Sequence, residues 1–338
     1  MMNRPTTPSG NRLLWPILGL LALLYFNLFY ALFYDNSFFL IEIRDGHLYG
    51  TLIDILNQGS KLMLLAIGMT LVIASGGVDL SVGSIMAIAG ALAAVLVTQA
   101  THSFGTIMLL ALTVAALAGL FNGVLVSWIG IQPIVVTLIL MVAGRGIAML
   151  ITGGQVITFE HPTFLFLGNG HFLGLPFTFT LVVLTFLAAV LLTRKTAAGL
   201  FIEAIGDNET ASRFAGINTR LVKVLVYGFC GLCAGMAGLI AASNIKAADA
   251  GRVGEMMELD AIFAVIVGGT ALTGGRFSLV GSIIGALLLQ TLTTTMYNLG
   301  VPPAITPVPK AIVIVLVCLF QSEDFRGELN AVFQQVRT

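Results

Sequence analysis

Few residues in this chain could do chemistry. Three acidic or basic groups are candidates for a place within the membrane. Asp79 sits in the glycine-rich stretch GGVDLSVGSI at 76–85, Arg145 lies inside LMVAGRGIAML, and Asp260 opens an apolar run. An ionisable group in such surroundings either lines a polar pathway or fixes the packing as a cap or ion pair. For Asp79 the cap is the simpler role, because an aspartate among glycines readily starts the next helix. For Arg145 the sequence does not choose, and a contact between Asp79 and Arg145 stays open. His47, His102, His161 and His171 all fall in polar loops. Cys230 and Cys233 stand in YGFCGLCAGMAGL with no histidine nearby, and Cys318 is also in an apolar run; these read as small packing residues. No H-E-x-x-H motif and no G-x-x-x-x-G-K-[ST] phosphate loop is present. Neither a catalytic residue, a metal nor a cofactor is therefore expected in this chain.

The most informative polar stretch is the loop 194–221, which contains RKTAAGLFIEAIGDNETASRFAGINTR. Asp207 or Asn208 can cap a short helix there, and Glu209 and Arg213 stand four apart on its exposed face. Ala211, Phe214 and Ala215 give that helix an apolar patch, and Gly216 is a suitable stop. A helix of one to three turns is marginal alone, so a partner is expected to hold it.

These residues must be positioned by elements that suit lipid. The 338-residue chain is 57% hydrophobic and only 9% charged, with mean hydropathy +1.00. A soluble domain carries about a quarter charged residues, so this chain lacks the groups to hydrate a surface. Its formal net charge is zero, which gives no argument for nucleic acid. A crossing needs about 20 residues, and ten apolar segments can be marked. They run 13–33, 61–75, 82–99, 106–128, 133–152, 177–193, 222–243, 259–274, 279–299 and 304–321. The first is too long for a signal peptide and ends without a small-residue cleavage pattern, so it is expected to stay. The fold class expected is an all-α polytopic bundle forming one membrane domain over 1–338. Lys and Arg near the segment ends favour both termini on the cytoplasmic side, with 194–221 and the tail 322–338 also inside. Small residues in segments four and seven, Gly119, Gly123, Gly231, Gly235 and Gly238, predict close helix packing.

The chain also carries a repeat. GGVDLSVGSI at 76–85 matches GGRFSLVGSI at 274–283 in six of ten positions. Both breaks follow a short apolar segment and precede a full one. Two parallel-related halves are the expected result, as in many transporters. Gly76, Gly77, Asp79 and Ser81 in the first break, Gly274 and Gly275 in the second, and Arg145 are the pathway candidates. With so few charges inside the bundle, an ion gradient has no obvious handle, and energy is expected from a partner. A gradient-driven carrier of a small polar solute is the alternative. Candidates for contacting a substrate are Gln58, Gln155, Tyr297 and Asn298.

Four stretches resemble a known family: LAIGMTLVIASGGVDLSVGSIMAIAGA at 65–91, TLILMVAGRGIAMLITGG at 137–154, IEAIGDNETASRFAGINT at 202–219 and LDAIFAVIVGGTALTGGRFSLVGSIIGALL at 259–288. They are similar to the monosaccharide permeases of bacterial ATP-binding-cassette importers, of the ribose and galactose type. LTRKTAAGLFIEAIGDN brings the chain nearest in appearance to a galactofuranose permease. The resemblance implies a bacterial inner-membrane location and a pair of permease chains, the same or related. It also implies a periplasmic sugar-binding protein and cytoplasmic ATPases that hold the ATP and Mg. The ATPase-contacting segment of that family matches Gly206, Asn208, Glu209, Ala211, Gly216 and Ile217. Asp207, Arg213 and Phe214 complete the segment here.

Overall fold

The computed structural model describes residues 10–34, 38–44, 46–99 and 102–321. The tail at 322–338 and the placement of the termini lie outside the described residues. The helices are α1 Gly10–Tyr34, α2 Thr51–Ala74, α3 Val82–Gln99, α4 Phe104–Val124, α5 Pro133–Thr152, α6 Pro162–Asn169, α7 Phe177–Lys195, α8 Ala198–Asp207, α9 Glu209–Phe214, α10 Thr219–Ile245, α11 Met257–Val267, α12 Leu279–Asn298 and α13 Pro307–Gln321. A π-helical turn, Leu125–Ile129, prolongs α4. The short strands described form two-stranded pairs at the loops.

Eight of the described helices are long and apolar enough to cross a membrane: α1, α2, α3, α4 with its π turn, α5, α7, α10 and α12. Two more apolar helices, α11 with 11 residues and α13 with 15, are shorter. The expected ten therefore resolve into eight full-length helices and two short ones. α11 stops at Val267, before the expected 274, because Gly268 and the left-handed Gly269 end it. α2 starts at Thr51, ten residues before the expected 61. Asp54 and Gln58 interrupt the apolar run there but lie on the exposed face, while Ile53 and Ile55 turn inward.

α10 occupies the centre and packs along α2, α3 and α4. Lipid is as apolar as leucine, so such contacts rely on close backbone approach rather than on the hydrophobic effect. At the α4–α10 crossing a methyl on Gly231 would stand 2.5 Å from the Ala115 carbonyl oxygen, and one on Gly119 would stand 2.3 Å from that of Tyr227. Around this centre, α2 packs on α12 and α11, and α3 on α5. α1, α5 and α7 leave most of their apolar surface outward. The two repeated glycine stretches are the breaks between α2 and α3 and between α11 and α12.

Candidate functional site

The first break is an enclosed polar knot. Asp79 Oδ1 accepts bonds from the Ser81 backbone N–H at 3.0 Å and from the Ser81 hydroxyl at 2.6 Å. This turn delivers the Ser81 carbonyl to Ile85 N–H, which starts α3. Asn122 of α4 donates to Ser81 Oγ at 2.8 Å, and the Tyr227 hydroxyl of α10 donates to the Val78 carbonyl at 3.3 Å. Asp79, Ser81, Asn122 and Tyr227 have no exposed surface. Tyr227 lies eight residues into α10, about 12 Å along it, so the break sits within the bundle. Asp79 thus shapes the entry to α3, and no hydrogen bond or ion pair joins it to Arg145 among the described residues.

The second break, between α11 and α12, uses different groups at matching positions. Ser278 caps α12 by accepting from Gly281 N–H at 3.1 Å, and Thr270 Oγ1 accepts from Ser278 N–H at 3.2 Å. Where the first break has Asp79, the second has the buried Phe277. The paired serines Ser84 and Ser282 both tie their helices to neighbours. Ser84 donates to the Ser81 carbonyl and faces that of Leu140 at 3.1 Å. Ser282 accepts from Thr70 of α2 at 2.7 Å.

The two breaks meet at one residue of the segment between α7 and α10. Gly206, near the end of α8, lies so close to both that a methyl on it would stand 1.8 Å from the Ala74 carbonyl oxygen and 2.3 Å from Gly275 N. Those two groups are themselves hydrogen-bonded at 2.9 Å, which joins the end of α2 to the second break. Gly274 adopts φ 85°, and a methyl on it would stand 3.0 Å from Gly206 Cα and 3.1 Å from Gly76 Cα. Only glycine has the bulk and the backbone freedom for this three-way approach. The structure thereby brings together Gly76, Gly206, Gly274 and Gly275 from three distant parts of the chain.

The segment beyond Gly206 is built to be held. The sequence left Asp207 or Asn208 as the cap; the cap is Asn208, whose Oδ1 accepts from Ala211 N–H at 2.9 Å and starts α9. Glu209 pairs with Arg213 at 3.1 Å and with Lys223 of α10 at 2.5 Å. Partial burial pushes the Glu209 carboxyl up, but the Lys223 hydrogen bond and the charges of Lys223 and Arg213 outweigh it and hold it below the ordinary carboxylate range. Gly216, at φ 87°, ends the segment ahead of Ile217. Ala211, Phe214 and Ala215 are exposed, Phe214 to 89%, and Leu200 on α8 is exposed to 70%. A whole helix, α8, precedes the capped one. The sequence reading missed it because its apolar residues point to both the bundle and the surface.

The remaining candidates are scattered more widely. Arg145 donates to the backbone carbonyls of Ala250 and Val253, bracing the loop between α10 and α11. Asp260 pairs with Lys310 at 2.8 Å, fastening α11 to α13. Gln58 accepts from Lys61 at 2.7 Å on the exposed face of α2. Tyr297 and Asn298 are exposed at the end of α12. These two helices pack together, with Gln290 of α12 lying against Gly59 of α2. Gln155 is exposed on the loop after α5, away from that pair. Gln290, Thr294 and Asn298 recur every four residues, a spacing that marks one face of a helix and was legible in the sequence. Asp54, one turn before Gln58, helps line a cavity of about 250 Å³ with Leu40, Glu42, Arg44 and Tyr49.

Comparison with known proteins places this arrangement. The family model described as branched-chain amino acid transport system / permease component matches residues 51–318. The galactofuranose transporter permease protein YtfT of Escherichia coli (strain K12) is 48% identical over 98% of both chains. The fructose import permease protein FruF of Bifidobacterium longum (strain NCC 2705) is 42% identical over 82% of this chain and 79% of its own. The ribose import permease protein RbsC of Escherichia coli (strain K12) is 38% identical over 80% of this chain and 85% of its own. No solved structure matches. With the match spanning two joined breaks and the segment that meets them, the chain is a multi-pass membrane protein that belongs to the transport-system permease-component family.

Proposed function

We propose that this chain is the transmembrane permease subunit of an ATP-driven monosaccharide importer, with galactofuranose as its substrate. The observation that carries the reading is the junction at Gly206, where the segment between α7 and α10 touches both glycine breaks. The relatives named above, all named as sugar permeases, supply the substrate class.

In this reading the termini and the segment α8–α9 face the cytoplasm. A partner ATPase, which holds the ATP and Mg, covers Leu200, Ala211 and Phe214. Its closure displaces α8–α9 together with the start of α10, because Glu209 ties α9 to α10 through Lys223. Gly206 passes that displacement to Gly76 and Gly274 together, so the feet of α3 and α12 shift in concert. The pathway thus has two global states, and the nucleotide biases them by its differential affinity. A periplasmic binding protein delivers the sugar to the outer cavity at Asp54. The polar positions Gln58, Gln290, Thr294 and Asn298 on α2 and α12 offer it hydrogen bonds on the way down. A second permease chain, the same or related, packs against outward apolar faces and completes the pathway. The test is uptake of labelled galactofuranose by a strain lacking this chain, with and without the chain restored. Uptake restored only by the chain supports the proposal; uptake indifferent to it opposes the substrate assignment.

A further inference from the structure

We infer that Asp79 carries a proton on Oδ2 and donates it to Asn122 Oδ1, so that the first break is tied to α4 by a neutral carboxyl. Both side chains are completely buried. Asp79 spends Oδ1 on the two bonds from Ser81, and Asn122 spends its amide N–H on the Ser81 hydroxyl. That leaves Asp79 Oδ2 and Asn122 Oδ1 as the two acceptors in the knot without a partner. They belong to groups that meet on the same Ser81 hydroxyl, at 2.6 and 2.8 Å. A carboxylate and an amide oxygen are acceptors only, so one proton on Oδ2 supplies the donor that both lack.

The surroundings hold no charge that would keep Asp79 ionised. From α10 it faces Tyr227, which gives its hydroxyl proton to Val78, and the Cys230 thiol, a weak, uncharged donor toward the Asp79 carboxyl that leaves Asn122 Oδ1 unpaired. From α4 it faces Asn122. Arg145 and Lys223 are engaged elsewhere, with Ala250, Val253 and Glu209. A buried carboxylate without a cation is among the costliest groups to fold, and it takes up a proton instead. The equivalent position of the other break agrees, because buried Phe277 fills it with a neutral side chain. Asp79 is accordingly a positioning residue: its neutral form holds the break against α4 in the place where Gly76 meets Gly206.

The decisive readout is infrared spectroscopy of the purified full chain labelled with carbon-13 aspartate, at neutral pH. An un-ionised carboxylic acid band that shifts with the label is expected, and Asp79→Asn removes it. Aspartate present only as carboxylate would overturn the inference, pointing instead to an ionised Asp79 with a bound cation, and this result holds whether or not any variant folds. Asp79→Asn keeps one acceptor and one donor, so sugar uptake stays close to wild type, whereas Asp79→Leu orphans Ser81 and Asn122 and lowers uptake by more than about tenfold. Loss of uptake in Asp79→Asn at normal abundance also counts against the inference. The infrared result is independent of the transport reading, on which only the uptake comparison rests.

Discussion

Substituting Gly206→Ala puts one methyl group between the two helix breaks. The new Cβ would start 1.8 Å from the Ala74 carbonyl oxygen and 2.3 Å from Gly275 N. Real Cβ atoms essentially never come within 3.0 Å of such atoms, so α8 must retreat by more than about 1 Å in a close-packed interior. Neither neighbour is a flexible side chain that could swing away. Forced overpacking of this kind costs about 1–3 kcal/mol. If the Ala74–Gly275 bond stretches as well, a buried N–H is left short of its partner, at about 1–3 kcal/mol more. The assembled junction then lies about 3 kcal/mol higher, and transport that passes through it slows roughly a hundredfold. The assay is initial sugar uptake in cells lacking the native chain, normalised to the amount of chain in the membrane. Gly105→Ala is the control, since a methyl there meets nothing within 4 Å. It is expected to leave uptake unchanged. Wild-type uptake by Gly206→Ala at normal abundance would refute the reasoning that force crosses at this glycine.

Two further outcomes follow from the same geometry. Phe214→Asp is expected to abolish uptake without lowering the amount of inserted chain, because Phe214 is 89% exposed and supports no packing within the chain; immunoblot and uptake together check it. The Glu209 carboxyl is held below its usual 4.5, so its contribution to holding α9 is full above that pH and is lost as pH falls through the lowered value. Protease cleavage at 208–214 in membrane vesicles is therefore expected to increase on acidification, and Glu209→Gln is expected to give high cleavage at every pH.

The helices and the repeat were largely legible because lipid imposes long apolar runs and glycine marks the interruptions. Six matching residues out of ten are enough to pair Gly76 with Gly274 from sequence alone. The meeting of those two glycines was not legible, since glycine carries no side chain and its contacts are made by backbone from three distant segments. The start of α2 was missed for a related reason: Asp54 and Gln58 look like a loop in a linear reading, yet they occupy one exposed helix face. The Asn208 cap was one of two options separated only by local backbone geometry. Arg145 could not be assigned from sequence, because its partners, the carbonyls of Ala250 and Val253, are backbone groups that any residue carries. The polar knot shows the same limit, since Asn122 and Tyr227 stand alone in apolar segments and only folding brings them to Ser81 and Val78.

The most direct test of the account is transport by the purified chain in liposomes, alone and together with the proposed ATPase and binding-protein partners, with and without ATP. Labelled sugar is predicted to accumulate only when the ATPase is present and ATP is supplied. Accumulation by this chain alone, driven by a sodium or proton gradient, would contradict it.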